Sequence, residues 1–457
     1  MKKKKIIFVV PDGTGIRNYL FSELISYLLK SNTELLIYHV LSKDAITEVE
    51  QLHNIKLTTK QLPKYSETLQ QKFLRESICY ARLLFYVKLE DNPTLLATWK
   101  KTHTGKKKWF YKLVEFYGII KHKSYSKILK LEEKYQKSIE TSIVNELEFL
   151  KQYKPDAIFC THQRAINAVP VFKAAEVLGI KTIGAIYSWD NLPKARLAIK
   201  TSKYLVWSEH MKNEFKKYYP EISQDNVIIT GTPQFSLYEN ANILERVTFF
   251  KHNNLDTNRF TICFSGDDVR TSPNDPNYLE HLAQSINSSD YKDKVQIVFR
   301  RSPVDVSGRY DEIVNKYEHL IIPIEPVWSN TKKQWTQIYP IYDDVNLLAN
   351  ICKHCDLVIN LGSTMAHDFT YFNNASAYLN YDVKPAENWS VKTIYKYQHF
   401  RSMPHKDVVY WINSKEDFIP LIEKVMQDNS SKGKEWFKVI NDSSINSSEE
   451  ISKLLIE

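Results

Sequence analysis

The sequence predicts an α/β protein built from two doubly wound domains, and three observations support this prediction. The chain has 457 residues, which exceeds the length that one hydrophobic core usually organises. Short apolar, β-branched runs alternate with helical patterns along the whole chain, which is typical of parallel sheets covered by helices on both faces. With 43% apolar and 13% aromatic residues, the composition is sufficient for two buried cores.

The first domain is expected to cover residues 1–235. Each predicted strand is a short run of apolar or β-branched residues bounded by polar or turn-forming ones. A basic, aromatic segment near residues 99–137 is predicted to be a helical insertion. The strands are predicted near residues 5–10, 34–40, 157–161, 182–187, 204–207 and 227–230.

A linker is expected at residues 236–258, because Gly231 to Gln234 interrupts the last of these strands and polar, Asn-rich sequence follows. The second domain, residues 259–457, repeats the alternation, and its last helix is a candidate for packing back on the first domain. Its strands are predicted near residues 260–265, 295–299, 320–324, 356–360 and 375–379, and its helices include residues 345–353 and 415–426.

The most informative segment is the turn Gly362-Ser363-Thr364, which follows a buried strand and precedes a helix. The free N–H groups of a first helical turn, the positive end of the helix dipole and the two hydroxyls together form an anion pocket. A phosphate would fit there without a metal. The alternative is that Ser363 or Thr364 only caps the helix, which is the commoner use of these residues.

The segments around this turn follow a distinctive order. A strand ends in Arg, an Asp pair opens the next helix, and an acidic residue lies one turn into the helix after Gly-Ser-Thr. This order resembles the nucleotide-binding half of bacterial GT-B glycosyltransferases that build surface polysaccharides and teichoic-acid-like polymers. The loop after the second strand departs from it, because many relatives have a basic residue and then His-Pro there. The matching residues are Arg300, Asp343 or Asp344, Asp356 to Asn360, Gly362 to Thr364 and Asp368, and the departing ones are Arg301, Ser302 and Pro303.

The resemblance implies two Rossmann-like domains that face each other across a cleft, the second of which binds a nucleotide-sugar donor. Arg300, Ser363 and Thr364 would stabilise the charge that accumulates on a nucleoside diphosphate leaving group. Asp368 would accept hydrogen bonds from ribose hydroxyls, and Gly266 with its neighbours would line the same site. A buried salt bridge between Arg300 and Asp368 is the alternative explanation for these two residues.

The loop after the first strand contains Asp12, Gly13 and Arg17. Ligands of open α/β sheets bind at the carboxyl ends of the strands. Asp12 is therefore the candidate general base for an acceptor hydroxyl, with Gly13 and Arg17 beside the acceptor. The alternative is that Asp12 caps its own turn. His162, after a later strand, is the second candidate base, although a lone histidine there is more often structural. The loop lacks the third glycine of a dinucleotide-binding motif, which disfavours a nicotinamide enzyme.

A third loop of the first domain contains Trp189, Asp190 and Asn191. An indole beside an acid and an amide suits sugar recognition, because the ring offers an apolar face and the polar groups bind hydroxyls. A similar S-x-D-N segment occurs in the transferases named above. The alternative is a buried Trp beside a turn-forming Asp-Asn pair.

Positive charge is concentrated in the predicted insertion. Residues 100–137 contain twelve Lys and three Glu, a surplus equal to the formal net charge of +9 for the whole chain. Lys106, Lys107, Lys108 and Trp109 are candidates for binding an anionic membrane surface, because aromatic side chains accompany the lysines. Nucleic acid would be attracted by the same charge, but no nucleic-acid-binding motif accompanies it. A solvated helix face is the plain alternative.

The sequence predicts no metal and no cofactor other than the nucleotide-sugar substrate. Cys352 and Cys355 form a C-x-x-C pair, but a structural zinc site needs four ligands and no second pair stands at a suitable distance. We interpret the pair as a buried, inert helix face. Five widely spaced cysteines and the lack of a long apolar run predict a cytoplasmic protein. The basic segment would hold it peripherally on the inner face of the cell membrane.

These observations favour a nucleotide-sugar-dependent glycosyltransferase of cell-surface polysaccharide synthesis, expected to be inverting and metal-independent. Its acceptor would be a glycan or a polyprenol-linked intermediate. Three alternatives remain open: a CDP-glycerol-type polyol-phosphate transferase, a nucleotide-sugar epimerase of the same fold, and a non-catalytic scaffold at the membrane.

Overall fold

The computed structural model describes residues 3–99, 103–194, 196–329, 339–384 and 389–457. The chain divides into two compact units. Unit 1 comprises Met1–Pro233, Tyr397–His399 and Ile440–Glu457, and unit 2 comprises Gln234–Lys396 and Phe400–Val439.

Within the described part of unit 1, seven parallel strands form one sheet in the order β3-β2-β1-β4-β5-β6-β7. The residues of β1 from Ile6 to Val10 have no exposed surface, because helices cover both faces of the sheet. The strands are β1 (Lys4–Val10), β2 (Thr33–His39), β3 (Thr58–Gln61), β4 (Ala157–Cys160), β5 (Lys181–Ala185), β6 (Lys203–Val206) and β7 (Val227–Ile229).

The helices of unit 1 join these strands and include a long excursion between β3 and β4. In that excursion α3, α4 and α5 pack on one another, and α3 contacts both of the others. The helices are α1 (Leu24–Lys30), α2 (Lys43–His53), α3 (Leu69–Glu90), α4 (Gly105–Lys121), α5 (Tyr125–Ile139), α6 (Val144–Tyr153), α7 (Val169–Val177) and α8 (Glu209–Tyr218).

Unit 2 repeats the scheme in its described residues, with six parallel strands in the order β10-β9-β8-β13-β14-β15 and a separate antiparallel pair, β11 with β12. The strands are β8 (Phe260–Ser265), β9 (Val295–Arg300), β10 (Ile321–Pro323), β11 (Trp328–Ser329), β12 (Tyr339–Pro340), β13 (Leu357–Asn360), β14 (Ala375–Leu379) and β15 (Tyr410–Ile412).

The helices of unit 2 cover its sheet, and the chain then returns to unit 1 with α18 (Ser447–Ile456). Helix α18 contacts α1, and the side chains of Lys4 and Lys181 donate hydrogen bonds to carbonyls of its last turn. The helices of unit 2 are α9 (Pro233–Ser236), α10 (Arg246–His252), α11 (Asp275–Asn287), α12 (Asp311–Lys316), α13 (Tyr342–His354), α14 (Met365–Tyr371), α15 (Val391–Ile394), α16 (Phe418–Gln427) and α17 (Lys434–Ile440).

The predicted fold class, two doubly wound parallel α/β domains, is confirmed. Every predicted strand is present, with ends that differ by one or two residues. Residues 236–258, predicted as a linker, lie in unit 2 and contain α10, because Phe249 and Phe250 are buried there. The residues from Ile440 onward, which include the last helix, belong to unit 1.

Candidate functional site

Each sheet has a point where the strand order reverses, and the loops that follow the strands there are the natural ligand sites of this architecture. In unit 1 the order reverses between β1 and β4. These strands are neighbours in the sheet although most of the first domain separates them in sequence. In unit 2 the order reverses between β8 and β13. The loops predicted to carry catalysis and nucleotide binding follow these four strands.

Asp12 and His162 meet at the reversal point of unit 1. The Nδ1 atom of His162 lies 2.6 Å from Oδ2 of Asp12, and the side chains are 12% and 8% exposed. The backbone N–H of Thr14 donates to Oδ1 of Asp12 at 3.1 Å, and the Thr14 hydroxyl donates to the same oxygen. Because β1 pairs with β4, the loops after them are adjacent. The sequence offered these two residues as alternatives, and the fold joins them.

Electrostatics favour an ionised Asp12. Burial acts to raise the pKa of this carboxyl, but the hydrogen bond and charge of His162, together with the hydrogen bonds of Thr14, hold the pKa below its ordinary value. A carboxylate accepts hydrogen bonds only, so Nδ1 of His162 carries the proton. Among the described residues Nε2 has no hydrogen-bond partner, and it can accept a proton from a ligand. Asp12 thereby orients His162 as the base.

Other polar groups surround this pair. The rings of His162 and Tyr187 lie 5.4 Å apart. Burial raises the pKa of Tyr187 to about 12, against the influence of the nearby Arg17. Asn18 is 1% exposed, and within the described residues its Nδ2 has no hydrogen-bond partner. Gly13 is buried beside the pair. Sequence reasoning did not single out Asn18, because an amide in an apolar helix carries no motif.

The loop after β5 is organised around Asp190, which accepts hydrogen bonds from the Ser188 hydroxyl at 2.7 Å, from Asn191 Nδ2 at 2.9 Å and from Lys194. Trp189 is 4% exposed, with its ring 5.3 Å from that of His399. The indole is therefore not an open platform, which agrees with the alternative of a buried Trp beside a turn-forming pair. Sugar binding by this loop stays a prediction.

In unit 2, Arg300 at the end of β9 pairs with Asp344 and not with Asp368. Its Nη2 donates to both carboxylate oxygens of Asp344, at 2.8 and 2.9 Å. Asp344 also accepts from the backbone N–H of Val327 and from Nε1 of Trp328. Asp343 is exposed, so Asp344 is the member of the Asp pair that contacts Arg300. The alternative explanation for Arg300 and Asp368, a salt bridge between them, is wrong, because Arg300 pairs with Asp344.

Two buried N–H donors at the carboxyl ends of the strands of unit 2 have no partner among the described residues. They are Nη1 of Arg300 and Nδ2 of Asn360. Ser265 pairs in register with Arg300, and Asn360 follows the residue that pairs with Phe264. The three side chains therefore share one row across β9, β8 and β13. Unpaired buried donors cost free energy, and an anionic or carbonyl ligand would satisfy them.

The Gly362-Ser363-Thr364 turn lies directly after this row. Gly362 has φ of +71°, and a Cβ there would lie 2.6 Å from Cζ of Phe400, so only glycine fits. The Ser363 N–H donates to Oδ1 of Asn360 at 2.7 Å. Thr364 is exposed and precedes α14, a helix of only seven residues. The Ser363 N–H is thus already bonded within the protein, whereas Nη1 of Arg300 and Nδ2 of Asn360 have no partner among the described residues.

Two further carboxyl groups stand near this edge. Asp368 is buried and accepts a hydrogen bond from the Tyr238 hydroxyl at 2.8 Å; its predicted contact with ribose stays a prediction. Asp267 follows the buried Gly266 after β8. Burial, with the charges of Asp275 and Asp268, raises the pKa of Asp267 well above its ordinary value. The raised pKa favours the protonated carboxyl of Asp267 over the carboxylate.

The C-x-x-C pair lies at the end of α13, in a buried position as expected. Cys352 and Cys355 are fully buried, and burial raises the pKa of both thiols well above the ordinary value. Within the described ranges, no group of three or more His, Cys, Asp or Glu side chains is arranged to hold a metal ion.

The predicted membrane-binding residues Lys106, Lys107, Lys108 and Trp109 are exposed in the first half of α4. Among the residues that the structure describes, no helix is long and apolar enough to cross a bilayer.

No protein-family model and no curated protein sequence matches this chain. Solved structures match over its whole length at low identity. A glycosyltransferase from Rickettsia africae ESF-5 has a TM-score of 0.52 and 12% identity, covering 100% of both chains. The UDP-GlcNAc 2-epimerase of Methanocaldococcus jannaschii has a TM-score of 0.53 and 12% identity, and the match covers 100% of this chain and 99% of that one. MnaA of S. aureus, solved with UDP, has a TM-score of 0.50 and 12% identity, and the match covers 98% of this chain and 94% of that one. These similarities establish the fold as GT-B.

Proposed function

We propose that this protein is a glycosyltransferase that moves a sugar from a nucleotide-sugar donor to a glycan or polyprenol-linked acceptor. The observation that carries the proposal is the 2.6 Å hydrogen bond between Asp12 and His162 at the reversal point of unit 1. An imidazole that a buried carboxylate orients can act as the general base, which transfer to a hydroxyl requires.

The donor nucleotide is assigned to unit 2. Its diphosphate would accept hydrogen bonds from Nη1 of Arg300, from Nδ2 of Asn360 and from the hydroxyls of Ser363 and Thr364. Structural relatives support a uridine nucleotide as a ligand of this fold, because one of them was solved with UDP and another is a UDP-GlcNAc 2-epimerase.

In the proposed reaction the acceptor hydroxyl oxygen forms a bond to the anomeric carbon while the bond from that carbon to the diphosphate breaks. His162 Nε2 takes the hydroxyl proton, and the Asp12 carboxylate stabilises the resulting imidazolium. The unpaired donors of unit 2 stabilise the charge on the departing diphosphate. We expect inversion at the anomeric carbon and no metal requirement. No further cofactor is invoked.

We place this reaction in cell-surface polysaccharide synthesis, at the cytoplasmic face of the cell membrane. The support is the sequence resemblance of the second domain to surface-polymer transferases. A polyprenol-linked acceptor would be held in that membrane. A CDP-glycerol-type transfer would use the same base and the same diphosphate site, and the identity of the bound nucleotide separates the two reactions.

The first experiment is a thermal-shift screen of the intact protein with UDP, GDP, CDP, CMP and NAD, with and without magnesium. A ligand at about 100 times its Kd stabilises by about 2.7 kcal/mol, which moves Tm by several degrees. Selective stabilisation by UDP or GDP without metal supports the glycosyltransferase, and selective stabilisation by CDP supports polyol-phosphate transfer. No shift with any nucleotide would contradict the proposal and favour a scaffold.

A nucleotide-sugar 2-epimerase is the second candidate, and the fold match to the Methanocaldococcus jannaschii enzyme favours it. An epimerase needs no acceptor. Incubation with the stabilising nucleotide's N-acetylhexosamine derivative separates the two functions. Interconversion of sugar epimers without acceptor would establish the epimerase, whereas acceptor-dependent release of the nucleoside diphosphate would establish the transferase.

A further inference from the structure

Helix α4 has two apolar faces on opposite sides. The inner face, Tyr111, Val114 and Gly118, is buried in unit 1. At Gly118 a Cβ would lie 2.8 Å from Cδ1 of Tyr80 on α3, so this face packs tightly. Because an α-helix turns by about 100° per residue, the outer face lies on the opposite side of the helix.

The outer face is a continuous apolar stripe in contact with solvent. Trp109, Leu113, Phe116 and Ile120 follow one another at intervals of four, three and four residues, and their exposed fractions lie between 41% and 68%. Ile119 beside them is 45% exposed. Scattered single apolar residues are ordinary on protein surfaces, but four in one helical stripe mark an interaction surface.

Lysines surround this stripe. Helix α4 carries Lys106, Lys107, Lys108, Lys112 and Lys121, and within the described residues none of them forms an ion pair. The helix has one carboxylate, Glu115, which accepts a hydrogen bond from Nε1 of Trp99 at 2.9 Å. By helical geometry Lys106 and Lys112 flank the stripe on its two sides. The surface is therefore apolar at its centre and cationic at its margin.

We propose that α4 inserts this stripe into the interface of an anionic lipid bilayer and lies parallel to the membrane plane. The four apolar side chains would enter the boundary between headgroups and acyl chains, and the lysines would meet the lipid phosphates. A second copy of the chain fits less well, because two lysine-rimmed surfaces would repel each other. Nucleic acid would engage the lysines but leave the apolar stripe exposed.

This inference goes beyond electrostatic adsorption, and it uses none of the residues assigned to the proposed reaction. Lipid binding and turnover are therefore measured independently, and failure of one leaves the other standing. Insertion predicts that both the stripe and the lysines are required. Adsorption alone predicts that only the lysines are.

The test is sedimentation of the full chain with vesicles of phosphatidylcholine alone and of equal parts phosphatidylcholine and phosphatidylglycerol. We expect binding to the anionic vesicles only. Trp109→Ser with Phe116→Ser should weaken it at least about tenfold, as should Lys106→Glu with Lys107→Glu and Lys108→Glu. Val306→Ser is the matched control, since Val306 is 76% exposed in unit 2 and its loss should change nothing. All these positions are exposed, so unchanged Tm values verify the fold.

Three outcomes would overturn the proposal. The first is equal sedimentation with and without vesicles. The second is wild-type binding by the Trp109→Ser, Phe116→Ser variant, which would leave adsorption only. The third is a concentration-dependent dimer without vesicle binding that the same variant abolishes, which would assign the stripe to contact between two copies.

Discussion

Asp12 and Asp267 occupy equivalent positions, each two residues beyond the first strand of its sheet, yet their environments shift their pKa values in opposite directions. Asp12 meets an imidazole and a threonine, which hold its pKa below the ordinary value. Asp267 meets Asp275 and Asp268 in a buried place, which raises its pKa. The same position in one fold used twice therefore favours the carboxylate of Asp12 and the protonated carboxyl of Asp267.

His162→Ala should have the largest effect, and it tests whether unit 1 supplies the base while unit 2 binds the nucleotide. If unit 1 supplies the base, turnover of the nucleotide sugar should fall by about 100- to 10,000-fold, because that is the usual contribution of general base catalysis. Nucleotide affinity, measured by calorimetry, should be unchanged because the donor groups lie in unit 2. His319→Ala, at an exposed position of unit 2, is the control. Equal loss of turnover and nucleotide affinity would show that the two roles are not divided.

The second test is Arg300→Ala. It leaves Asp344 buried without its cation, which typically costs about 3–5 kcal/mol of stability, and it removes the Nη1 donor. We expect a lower Tm and weaker nucleotide binding. Arg300→Lys keeps the charge but not the guanidinium fork, so it should retain more stability than affinity. Arg301→Ala is the matched control, because its ion pairs with Asp311 and Glu325 are partly exposed and contribute little. Equal effects of Arg301→Ala and Arg300→Ala would refute the assignment.

The third test compares two glycines with positive φ. Gly362→Ala should cost more than the roughly 1–3 kcal/mol of strained backbone alone, because its Cβ also meets Phe400, and it should weaken nucleotide binding. Gly105 has φ of +58° with open space around it, so Gly105→Ala carries only the backbone cost. Chemical denaturation of both variants measures the difference. A Gly362→Ala variant as stable as Gly105→Ala would contradict the close approach.

The smallest effects concern pH. Asp12 stabilises the folded state above its ordinary pKa of 3.8, and this contribution is lost as pH falls through its lower folded pKa. Asp12→Asn should therefore be less stable than wild type at neutral pH, with a gap that closes in acid. The folded pKa of Asp267 is raised, so the free energy of unfolding falls as pH rises from 3.8 toward that raised pKa. Asp267→Asn should gain on wild type as pH rises. Melting curves between pH 3 and 8 test both variants. If the difference in stability from wild type changed with pH in the same direction for both, the contrast between Asp12 and Asp267 would be refuted.

Much of this architecture could be predicted from sequence. The buried strands are recognisable in the sequence as apolar, β-branched runs. The rule that ligands bind at strand ends then indicates the loops of Asp12, His162 and Gly362. The edge strands β3 and β15 were missed. All four residues of β3 are polar and exposed, so the strand lacks the alternation that marks a half-buried one.

Pairings between distant residues could not be predicted. Asp12 and His162 are 150 positions apart, and only the adjacency of β1 and β4 brings them together. A salt bridge between Arg300 and Asp368 was the alternative to a role in donor binding, whereas the start of α13 places Asp344 against Arg300. The insertion was recognised as basic and aromatic, but both faces of α4 are apolar, so sequence alone could not tell which one is buried.

The return of the chain from Ile440 onward into unit 1 has a consequence for biosynthesis. Residues 1–233 leave the ribosome long before α18, whose Ile451, Leu454 and Leu455 fill part of the core of unit 1. The carbonyl partners of Lys4 and Lys181 also arrive only then. The apolar surface of unit 1 that α18 covers is therefore exposed to solvent while unit 2 is synthesised. A fragment ending at residue 233 would retain that uncovered surface permanently and would require chaperones or aggregate.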